Sequence, residues 1–532
     1  MRRRDFMTLA AGAAGTSLLP TKWAMAQTRA ESLRILSEAG PNSFDTIGVG
    51  VNRNAIQATW NVYDRLVRFG TKTQPDGTLY YDYYAIEGEL AERWTVSDDK
   101  RSITFHLRRD ATFHDGTPVT AEDVKWSLDR VVSIPIGKSQ FSTGSMTEPS
   151  QFEIIDTHTI RVTTPKPDRF TLPNMAAVYP IIINSKVAKA NATAADPWAS
   201  EWLKTNAAGG GPFKIEAFTP GQSLTLSRFD GWKNGVLPGF RRVLWQVVPN
   251  AQSRRTSLER GDADIVQDLP PQDAVSLAAD TKLKVVGVPM AGAFQFIGMN
   301  NSIKPFDNVK VRQAIAFALP YQQMFEAALF KRGRPLFGGK PGVPETTEYP
   351  QPLGYDTDIA KAKALLTEAG FPNGFETTFS FELSQATIGE PVSLLIQEAL
   401  GKVGIKVTIN KVPGGQLGTL LQNKQVPFFF EGSAAYLADA DYFFRIFYHG
   451  PTRWNFGTYT NPEFAALVEK TRFETDKAVY EADVKRMITL AKEEVPIILL
   501  WQPALDTGMQ KSVDGYKYLF HRQLEMRTLK RS

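Results

Sequence analysis

Cysteine is missing from all 532 residues of the chain. Its absence excludes disulfide bonds, thiolate nucleophiles, cysteine-ligated zinc, iron–sulfur clusters and the lipid-modified cysteine of a bacterial lipoprotein. Histidine is scarce, since the chain has five, and they are scattered rather than clustered. The sequence therefore predicts neither a cofactor nor a metal site.

Long apolar runs and a strong charge of one sign are also missing. Beyond the N-terminus, no uninterrupted apolar stretch approaches the roughly 20 residues that a membrane-spanning helix needs. The formal net charge is +5, and the first 26 residues contribute +3 of it, because four of them are basic and one is acidic. The remaining +2 indicates no nucleic-acid partner.

The N-terminus has the features of an export signal. RRDFM is a twin-arginine pattern, the run LAAGAAGTSLL after it is mildly apolar, and AMA fits an A-x-A cleavage site. The alternative is a short anchor or an ordinary amphipathic helix. We expect residues 1–26 to be removed and the chain from Gln27 to be a soluble periplasmic protein without a lipid anchor, exported by the twin-arginine translocase. The predicted signal residues are Arg3, Arg4, Phe6, Ala24 and Ala26.

Strand-like and helix-like segments alternate along the rest of the chain, which is typical of α/β lobes. No low-complexity linker separates them, so we expect crossing strands to join the lobes. The predicted strands are Ser32–Leu36, Ser102–Leu107, Thr159–Val162, Lys214–Phe218, Ser223–Phe229 and Ile405–Asn410. The predicted helices are Ala55–Val67, Ala121–Val132, Ala251–Arg260, Val309–Phe330, Ile359–Ala369 and Pro391–Val403.

The stretch FHDGTPVTAEDV places His114 beside Asp115, which raises the question of a catalytic pair. Asp115 followed by glycine is a strong turn dipeptide, and Thr120 with Asp123 three residues later has the spacing of a helix cap. A catalytic pair would also need a nucleophile, and neither a G-x-S-x-G nor an H-E-x-x-H motif is present. The stretch is predicted to turn a strand into a helix, and no catalytic residue is predicted.

The most specific signal is a set of segments spread along the chain after the N-terminus. NVYDRLVRFG and the stretch from GELAERWTVSDDK to KWSLDRV are followed, in this order, by GGGPFKIEAFTPGQSLTLSRFDGWKNG, LERGDADIVQDLP, GMNNSIKPFDNVKVRQAIAFAL, AKALLTEAGFPNGF and EEVPIILLW. Together these segments resemble family 5 of the bacterial extracellular solute-binding proteins, which are the peptide, nickel and opine binders of ABC importers.

The resemblance implies an α/β fold of the two-lobed periplasmic-binding-protein (Venus flytrap) type, with an extra domain inserted in the first lobe. Carried onto this chain, domain I would comprise residues 27–73, 206–296 and 505–532. Domain II, the insertion, would comprise 74–205, and domain III, the second lobe, would comprise 297–504.

The resemblance also implies a function without catalysis. The protein would capture a small or medium organic solute, either peptide-like, opine-like or amino-acid-derived, and deliver it to a membrane permease and its ATPase subunits. We expect a monomer. Two other functions on the same fold stay open: a secreted hydrolase, which would turn over esters or peptides, and a periplasmic chaperone or sensor partner, which would bind unfolded chains or a receptor domain.

The sequence differs from the peptide-binding members of the family at the positions that contact the ligand in those members. Those members share Gly-Trp-x-x-Asp, in which the tryptophan walls the pocket and the aspartate receives the peptide's α-ammonium group. Here Gly432 is kept, but Ser433 stands at the tryptophan position and Tyr436 at the aspartate position. A peptide amine would lose a charge-assisted hydrogen bond, typically about 1.5–3 kcal/mol, unless Asp439 or Asp441 replaces the missing group. An ordinary peptide ligand is therefore not favoured. The arginines nearby indicate instead a ligand with at least one carboxylate, while sugars and other solutes that stack on aromatic rings stay open. A nickel chelate is less favoured, because the histidines do not cluster.

The loop-rich segment 432–456 supplies most candidates for ligand contact. Its aromatic side chains offer stacking surfaces, and its arginines offer forks for a carboxylate. Each candidate has a structural alternative, which is packing in the core. The predicted ligand-binding residues are Tyr436, Asp439, Arg445, Arg453 and Trp454, with Phe44, Phe294 and Gln295 as weaker candidates near the ends of domain I strands.

Overall fold

The computed structural model describes residues 29–75, 77–339, 344–413, 415–450, 452, 454–519 and 523–532. The predicted signal residues and Arg453 lie outside these ranges. No helix within them is both long and apolar enough to cross a membrane.

The strands are short, apart from two long ones. They are β1 Ser32–Ser37, β2 Val67–Thr73, β3 Leu79–Gly88, β4 Ala91–Val96, β5 Ser102–Leu107, β6 Phe152–Asp156, β7 Thr159–Thr163, β8 Phe213–Thr219, β9 Ser223–Arg228, β10 Arg242–Val247, β11 Ile265–Val266, β12 Leu283–Pro289, β13 Ala293–Met299, β14 Gly333–Pro335, β15 Glu376–Glu382, β16 Lys406–Val412, β17 Phe428–Ala434, β18 Ile497–Gln510, β19 Val513–Asp514, β20 Lys517–Tyr518 and β21 Lys530–Arg531.

The helices are distributed along the whole described chain. They are α1 Arg53–Val62, α2 Ala121–Ser133, α3 Pro135–Phe141, α4 Thr171–Met175, α5 Ser185–Ala190, α6 Ser200–Leu203, α7 Ala251–Glu259, α8 Pro271–Ala278, α9 Val309–Ala318, α10 Tyr321–Leu329, α11 Ile359–Glu368, α12 Ala386–Gly401, α13 Gln416–Gln422, α14 Ala440–Phe447, α15 Pro462–Thr471 and α16 Lys477–Glu494.

One mixed sheet runs through both lobes. Its strand order is β16-β15-β17-β13-β18-β11-β1-β10-β9-β8, and β12 and β14 also pair with β18. The first part of β18 pairs with β13 and β14 of the second lobe, and its last part pairs with β11 and β12 of the first lobe. The lobes are therefore joined by β18 and by the connection from β12 to β13, so that crossing strands link them.

The first lobe carries a long excursion between β1 and β8. Within it, β4, β5, β7 and β6 form a separate four-stranded sheet, and β2 and β3 form a hairpin that β20 extends. In β5, the sequence SITFHL alternates buried and half-buried side chains, as expected of a strand with one face on a core. By contrast, every residue of β13 is buried, because that strand lies inside the large sheet. The proposed domain boundaries stay predictions.

Most predicted elements are confirmed to within two residues of their observed ends, but one helix is shorter than predicted. The helix predicted from Ala55 to Val67 ends at Val62, so its last five residues are wrong. The carbonyl of Val62 accepts the backbone N–H of Gly211 at 2.9 Å. This contact from a distant segment ends the helix although the apolar spacing continues past it.

The helix predicted from Val309 to Phe330 is also wrong, because it is two helices, α9 and α10. Pro320 lies between them and lacks the N–H that a continuous helix requires. Leu319 is extended, with ψ of 137°, as residues before proline usually are. The helix predicted to begin at Pro391 begins earlier, at Ala386.

The stretch that raised the question of a catalytic pair is scaffold. The Nε2–H of His114 donates to the carbonyl of Gly211 at 2.9 Å, while Asp115 accepts the backbone N–H of Thr117 at 2.9 Å. Asp123 accepts the N–H of Thr120 at 3.0 Å at the start of α2. Because His114 and Asp115 bind different partners, they do not form a catalytic pair with each other. The predicted capped helix is confirmed. The predicted strand before it is wrong, since Thr112 and Pro118 form only an isolated bridge there.

Candidate functional site

A cavity of about 830 Å³ lies between the two lobes, beside the strands that join them. The first lobe lines it with the β2–β3 hairpin, the joining segment contributes residues from Gly287 to Gly292, and the second lobe contributes Arg334, residues 346–350, Ala438 and Gln502. Pockets of roughly 300–1,000 Å³ are typical of small-molecule sites. The volume therefore suits a small or medium organic molecule.

Tyrosines form the first-lobe wall. Tyr80, Tyr81, Tyr83 and Tyr84 all line the cavity, although successive residues of a regular strand point to opposite faces. The pairing of β2 with β3 jumps from Ile86 to Asp82, which leaves the residues between them outside the ladder. This bulge changes the direction of the side chains after Asp82 and brings neighbouring tyrosines to one site.

The second-lobe wall carries a charged pair. The Nη1 of Arg334 lies 2.7 Å from the Oε1 of Glu348 and 3.4 Å from the Oε1 of Gln502. The two charged side chains are 39% and 59% exposed, respectively. On the opposite wall, the Nζ of Lys72 lies 5.7 Å from the ring centre of Tyr80. Among the described residues, each lobe thus contributes one cation to the cavity, and a carboxylate already faces the cation of the second lobe.

An ion pair fixes the joint beneath the cavity. Arg332 binds the carboxylate of Asp506, which lies on β18 with its side chain 5% exposed. Gly287 of β12 pairs directly with Asp506 in the sheet, and a Cβ at Gly287 would lie 2.1 Å from the Oδ1 of Asp506. A larger residue at this place would therefore have to displace the two side chains of the ion pair beside the joining strands.

Tyr436 lies at a contact between the lobes. Its hydroxyl group is 2.8 Å from that of Tyr179 on the first lobe, and the two ring centres are 5.1 Å apart. Tyr436 is not among the residues that line the cavity. The nearby Ala438 is, so the segment reaches the edge of the site.

Asp439 is buried, and its oxygens are in use. Oδ1 accepts the hydroxyl of Tyr480 at 2.7 Å and the backbone N–H of Asp441 at 3.0 Å, which caps α14. Oδ2 lies 3.4 Å from the Nη2 of Arg169 on the first lobe. Burial alone lowers the pKa of Arg169, but Asp439 and its neighbours raise it above its ordinary value.

Arg445 is occupied in the same way. Its Nε donates to the Oδ1 of Asp441 at 3.0 Å, one turn earlier on α14, and its Nη1 donates to the carbonyl of Thr143 at 3.2 Å. Burial raises the pKa of Asp441, and Arg445 opposes that rise. The guanidinium of Arg445 therefore forms a buried ion pair with Asp441 and a hydrogen bond to the first lobe.

The remaining candidates support the walls or the core. Phe294 packs edge-on against Tyr349, a wall residue, with ring centres 6.4 Å apart. Gln295 accepts the indole N–H of Trp501. Trp454 is 41% exposed and packs against other aromatic rings, and Phe44 is fully buried. Within the described ranges, none of the predicted ligand-binding residues lines the cavity itself.

Sequence reasoning missed the tyrosine wall and the charged pair. The run LYYDYYAIEG was a visible signal, because four tyrosines in five positions exceed what packing on one face of a strand needs. Arg334 and Glu348 gave no comparable signal, since each is a single charged residue in an irregular segment. Only the folded chain brings them to 2.7 Å.

Comparisons with known proteins identify the family and the fold of the chain. The profile of the family described as bacterial extracellular solute-binding proteins, family 5 Middle, matches residues 85–455. The probable D,D-dipeptide-binding periplasmic protein DdpA of Escherichia coli K12 is 29% identical over 496 residues, which cover 92% of each chain. The glutathione-binding protein GsiB of Salmonella choleraesuis is 26% identical, over 94% of this chain and 95% of its own. The structure of AgaA from A. tumefacien R10 in complex with agropinic acid matches with a TM-score of 0.75 and 27% identity, over 94% of this chain and 99% of that chain.

Proposed function

We propose, for a chain that belongs to family 5 of the bacterial extracellular solute-binding proteins, that the interlobe cavity takes an organic solute with at least one carboxylate. The chain is a substrate-binding protein of an ABC importer, as its relatives are. The named relatives are a probable D,D-dipeptide-binding protein, a glutathione-binding protein and a protein solved in complex with agropinic acid. Each of these ligand names is compatible with a peptide-like, opine-like or amino-acid-derived solute.

The observation that carries this proposal is the pair of Arg334 and Glu348 in the cavity wall. An exposed ion pair contributes only about 0–1 kcal/mol. A ligand carboxylate that is enclosed between the lobes would make a charge-assisted hydrogen bond worth about 1.5–3 kcal/mol. Arg334 therefore gains by exchanging Glu348 for a ligand carboxylate when the cavity closes.

Lys72 and the tyrosines extend the same argument to closure. Lys72 is on the first lobe and Arg334 is on the second, so an anionic ligand between them contacts both lobes at once. Such a ligand binds the closed arrangement better than the open one and shifts the population toward it. The tyrosine rings supply stacking area for the ligand's uncharged part.

A free peptide amine finds fewer acidic partners here than in the peptide-binding members of the family. Tyr436 replaces the aspartate, and Asp439 is already bound by Tyr480 and Arg169. Glu348 is the acidic residue among those that line the cavity in the described ranges. We therefore favour a ligand whose amine is substituted, as in an opine, over an ordinary peptide.

The rest of the proposal concerns partners and location. The closed lobes would present the solute to the membrane permease and its ATPase subunits, and the protein would act as a monomer in the periplasm without a lipid anchor. Arg3, Arg4, Phe6, Ala24 and Ala26 support export by the twin-arginine translocase. Enzymatic turnover has no part in this proposal, since the family members are binding proteins.

Thermal unfolding of the chain 27–532, freed of co-purified ligand, tests the ligand class. Opines, glutathione, dipeptides, neutral oligosaccharides and nickel chelates form the panel. A ligand present at a hundredfold over its dissociation constant stabilises the folded protein by about 2.7 kcal/mol. Compounds of the right chemical class will therefore raise the midpoint temperature of unfolding. We expect the shift with carboxylate-bearing solutes, and we expect Arg334→Gln to reduce it to about half or less.

The matched control is Arg486→Gln, which removes an arginine that pairs with Glu463 within the second lobe. It should leave every shift unchanged. A rise in the midpoint with neutral oligosaccharides alone would contradict the proposal that the ligand has a carboxylate. Hydrolysis of a panel compound would contradict the binding function, and capture of unfolded chains without any shift would favour a chaperone.

A further inference from the structure

The two lobes meet at a second place, outside the cavity. We name it the interlobe junction, and it joins segment 140–179 of the first lobe to segment 436–480 of the second. Its side chains are Gln140, Arg169 and Tyr179 on one side and Tyr436, Asp439, Tyr442, Arg445 and Arg472 on the other. None of these residues is among those that line the cavity.

Arginines cross the junction in both directions. From the second lobe, the Nη2 of Arg472 donates to the carbonyl of Ser142 at 2.8 Å, and its Nε lies 3.6 Å from the fully buried carboxylate of Asp168. From the first lobe, Arg169 lies 3.4 Å above the ring centre of Tyr480 and 3.4 Å from Asp439. Charged donors and cation–π contacts are among the stronger polar interactions in proteins.

The junction is built so that it can open. Asp168 also accepts the hydroxyl of Ser145 at 2.7 Å and the N–H of Phe170 at 3.0 Å from its own lobe. Asp439 likewise keeps the hydroxyl of Tyr480 from its own lobe. Each carboxylate therefore stays hydrogen-bonded after its arginine leaves, and separating the lobes leaves no bare buried charge.

Contacts of this kind act on ligand binding without touching the ligand. The apparent dissociation constant equals the intrinsic one divided by the fraction of protein that is already in the binding-competent arrangement. The junction stabilises the arrangement of this structure, in which the two lobes meet, with protein groups alone. It raises that fraction and lowers the apparent dissociation constant for any ligand of the cavity.

We propose that Arg169 and Arg472 are positioning residues that determine ligand affinity from outside the cavity by holding the lobes together. The inference rests on the proposed function, because it needs a ligand that closes the same two lobes. It goes beyond that function, because neither residue lines the cavity.

The variants Arg169→Met and Arg472→Met, singly and together, test the proposal, with Arg486→Met as the control that removes an arginine pair within one lobe. Glutathione and agropinic acid are the ligand probes. We expect each junction variant to bind about three- to tenfold more weakly. Arg472→Lys, which keeps a charged donor, should recover most of the loss.

Two measurements on ligand-free protein separate the junction from the ligand. Small-angle scattering should give a larger radius of gyration for the junction variants than for the control. Amide hydrogen exchange should quicken at Ser142–Ser145 and Ala440–Phe447, while the thermal midpoint matches that of the control. These two readouts stay decisive if neither probe binds the wild type, which would count against the ligand class alone.

Unchanged radius and exchange in the double variant would overturn the proposal. An unchanged dissociation constant for a probe that does bind would overturn it too. A loss of affinity that accompanies an equal loss of thermal stability, without a change in radius, would assign the two arginines a structural role instead.

Discussion

The hydroxyl groups of Tyr436 and Tyr179 lie 2.8 Å apart and join the two lobes. Tyr436 stands where the peptide-binding pattern has an aspartate for the peptide amine. The position that recognises a ligand in those relatives therefore makes a protein contact here. Tyr436 therefore either holds the two lobes together or contacts the ligand directly. A pair of conservative variants distinguishes these two roles.

Tyr436→Phe and Tyr179→Phe each remove the same hydrogen bond. A bond of this kind contributes about 0.5–1.5 kcal/mol, so we expect each variant to weaken ligand binding by roughly two- to tenfold. The double variant should bind no more weakly than either single one, because both act on one interaction. Titration calorimetry with the ligand found by thermal screening measures this. If Tyr436→Phe weakens binding while Tyr179→Phe does not, then Tyr436 contacts the ligand directly.

Arg334 and Glu348 should have opposite effects on acidic ligands. Arg334→Gln removes the partner of the carboxylate and should weaken binding about tenfold or more, since 1.4 kcal/mol corresponds to a factor of ten. Glu348→Gln removes the group that competes for Arg334, so affinity should stay equal or increase. Direct binding assays at low and high salt check both. A strong loss in Glu348→Gln would show instead that this carboxylate receives a ligand amine.

His114 should make stability depend on pH. Burial lowers its pKa to about 4 from an ordinary 6.5, although its bond to Gly211 opposes the shift. Between these values the unfolded chain binds a proton that the folded chain does not, so stability is lost as the pH falls from about 6.5 toward 4. From pH 7 to 5 the loss should be about 1–2 kcal/mol.

Denaturant unfolding of His114→Gln provides the comparison, because glutamine keeps a donor for the Gly211 carbonyl but does not titrate. The variant should lack this part of the pH dependence. Asp64, whose pKa burial raises to about 7, contributes in the opposite direction in both proteins, so the difference between them isolates His114. Parallel pH profiles for the two proteins would contradict the prediction.

An element of the fold was predictable from the sequence where its own residues determine it, and it was not where a distant segment determines it. Ser102–Leu107 was predictable, because alternation along six residues expresses one buried face. The break at Pro320 was also accessible, because proline acts on its own helix. The end of α1 at Val62 was not, since it depends on Gly211, whose approach no local pattern announces.

The site was less predictable than the fold, for a related reason. The bulge in β3 that brings Tyr83 and Tyr84 to the cavity is a property of strand pairing rather than of the tyrosine run alone. The resemblance pointed to the segment around Tyr436, which lies at the edge of the site. It did not indicate that Tyr179 and Arg169 from the first lobe would bind the hydroxyl of Tyr436 and the carboxylate of Asp439.

The C-terminal residues should be essential for the stability of the first lobe. Arg527 donates to the Oε1 of Glu89 at 2.7 Å, and both side chains are buried. Arg527→Met leaves Glu89 without this partner, and breaking a buried pair typically costs about 3–5 kcal/mol. Arg241→Met, at an exposed arginine, should change stability by no more than about 0.5 kcal/mol. Denaturant unfolding measures both. Adding Glu89→Gln to Arg527→Met should restore part of the loss, because it removes one of the two buried carboxylates that lose Arg527, the other being Glu525. Equal stability of Arg527→Met and Arg241→Met would refute the argument.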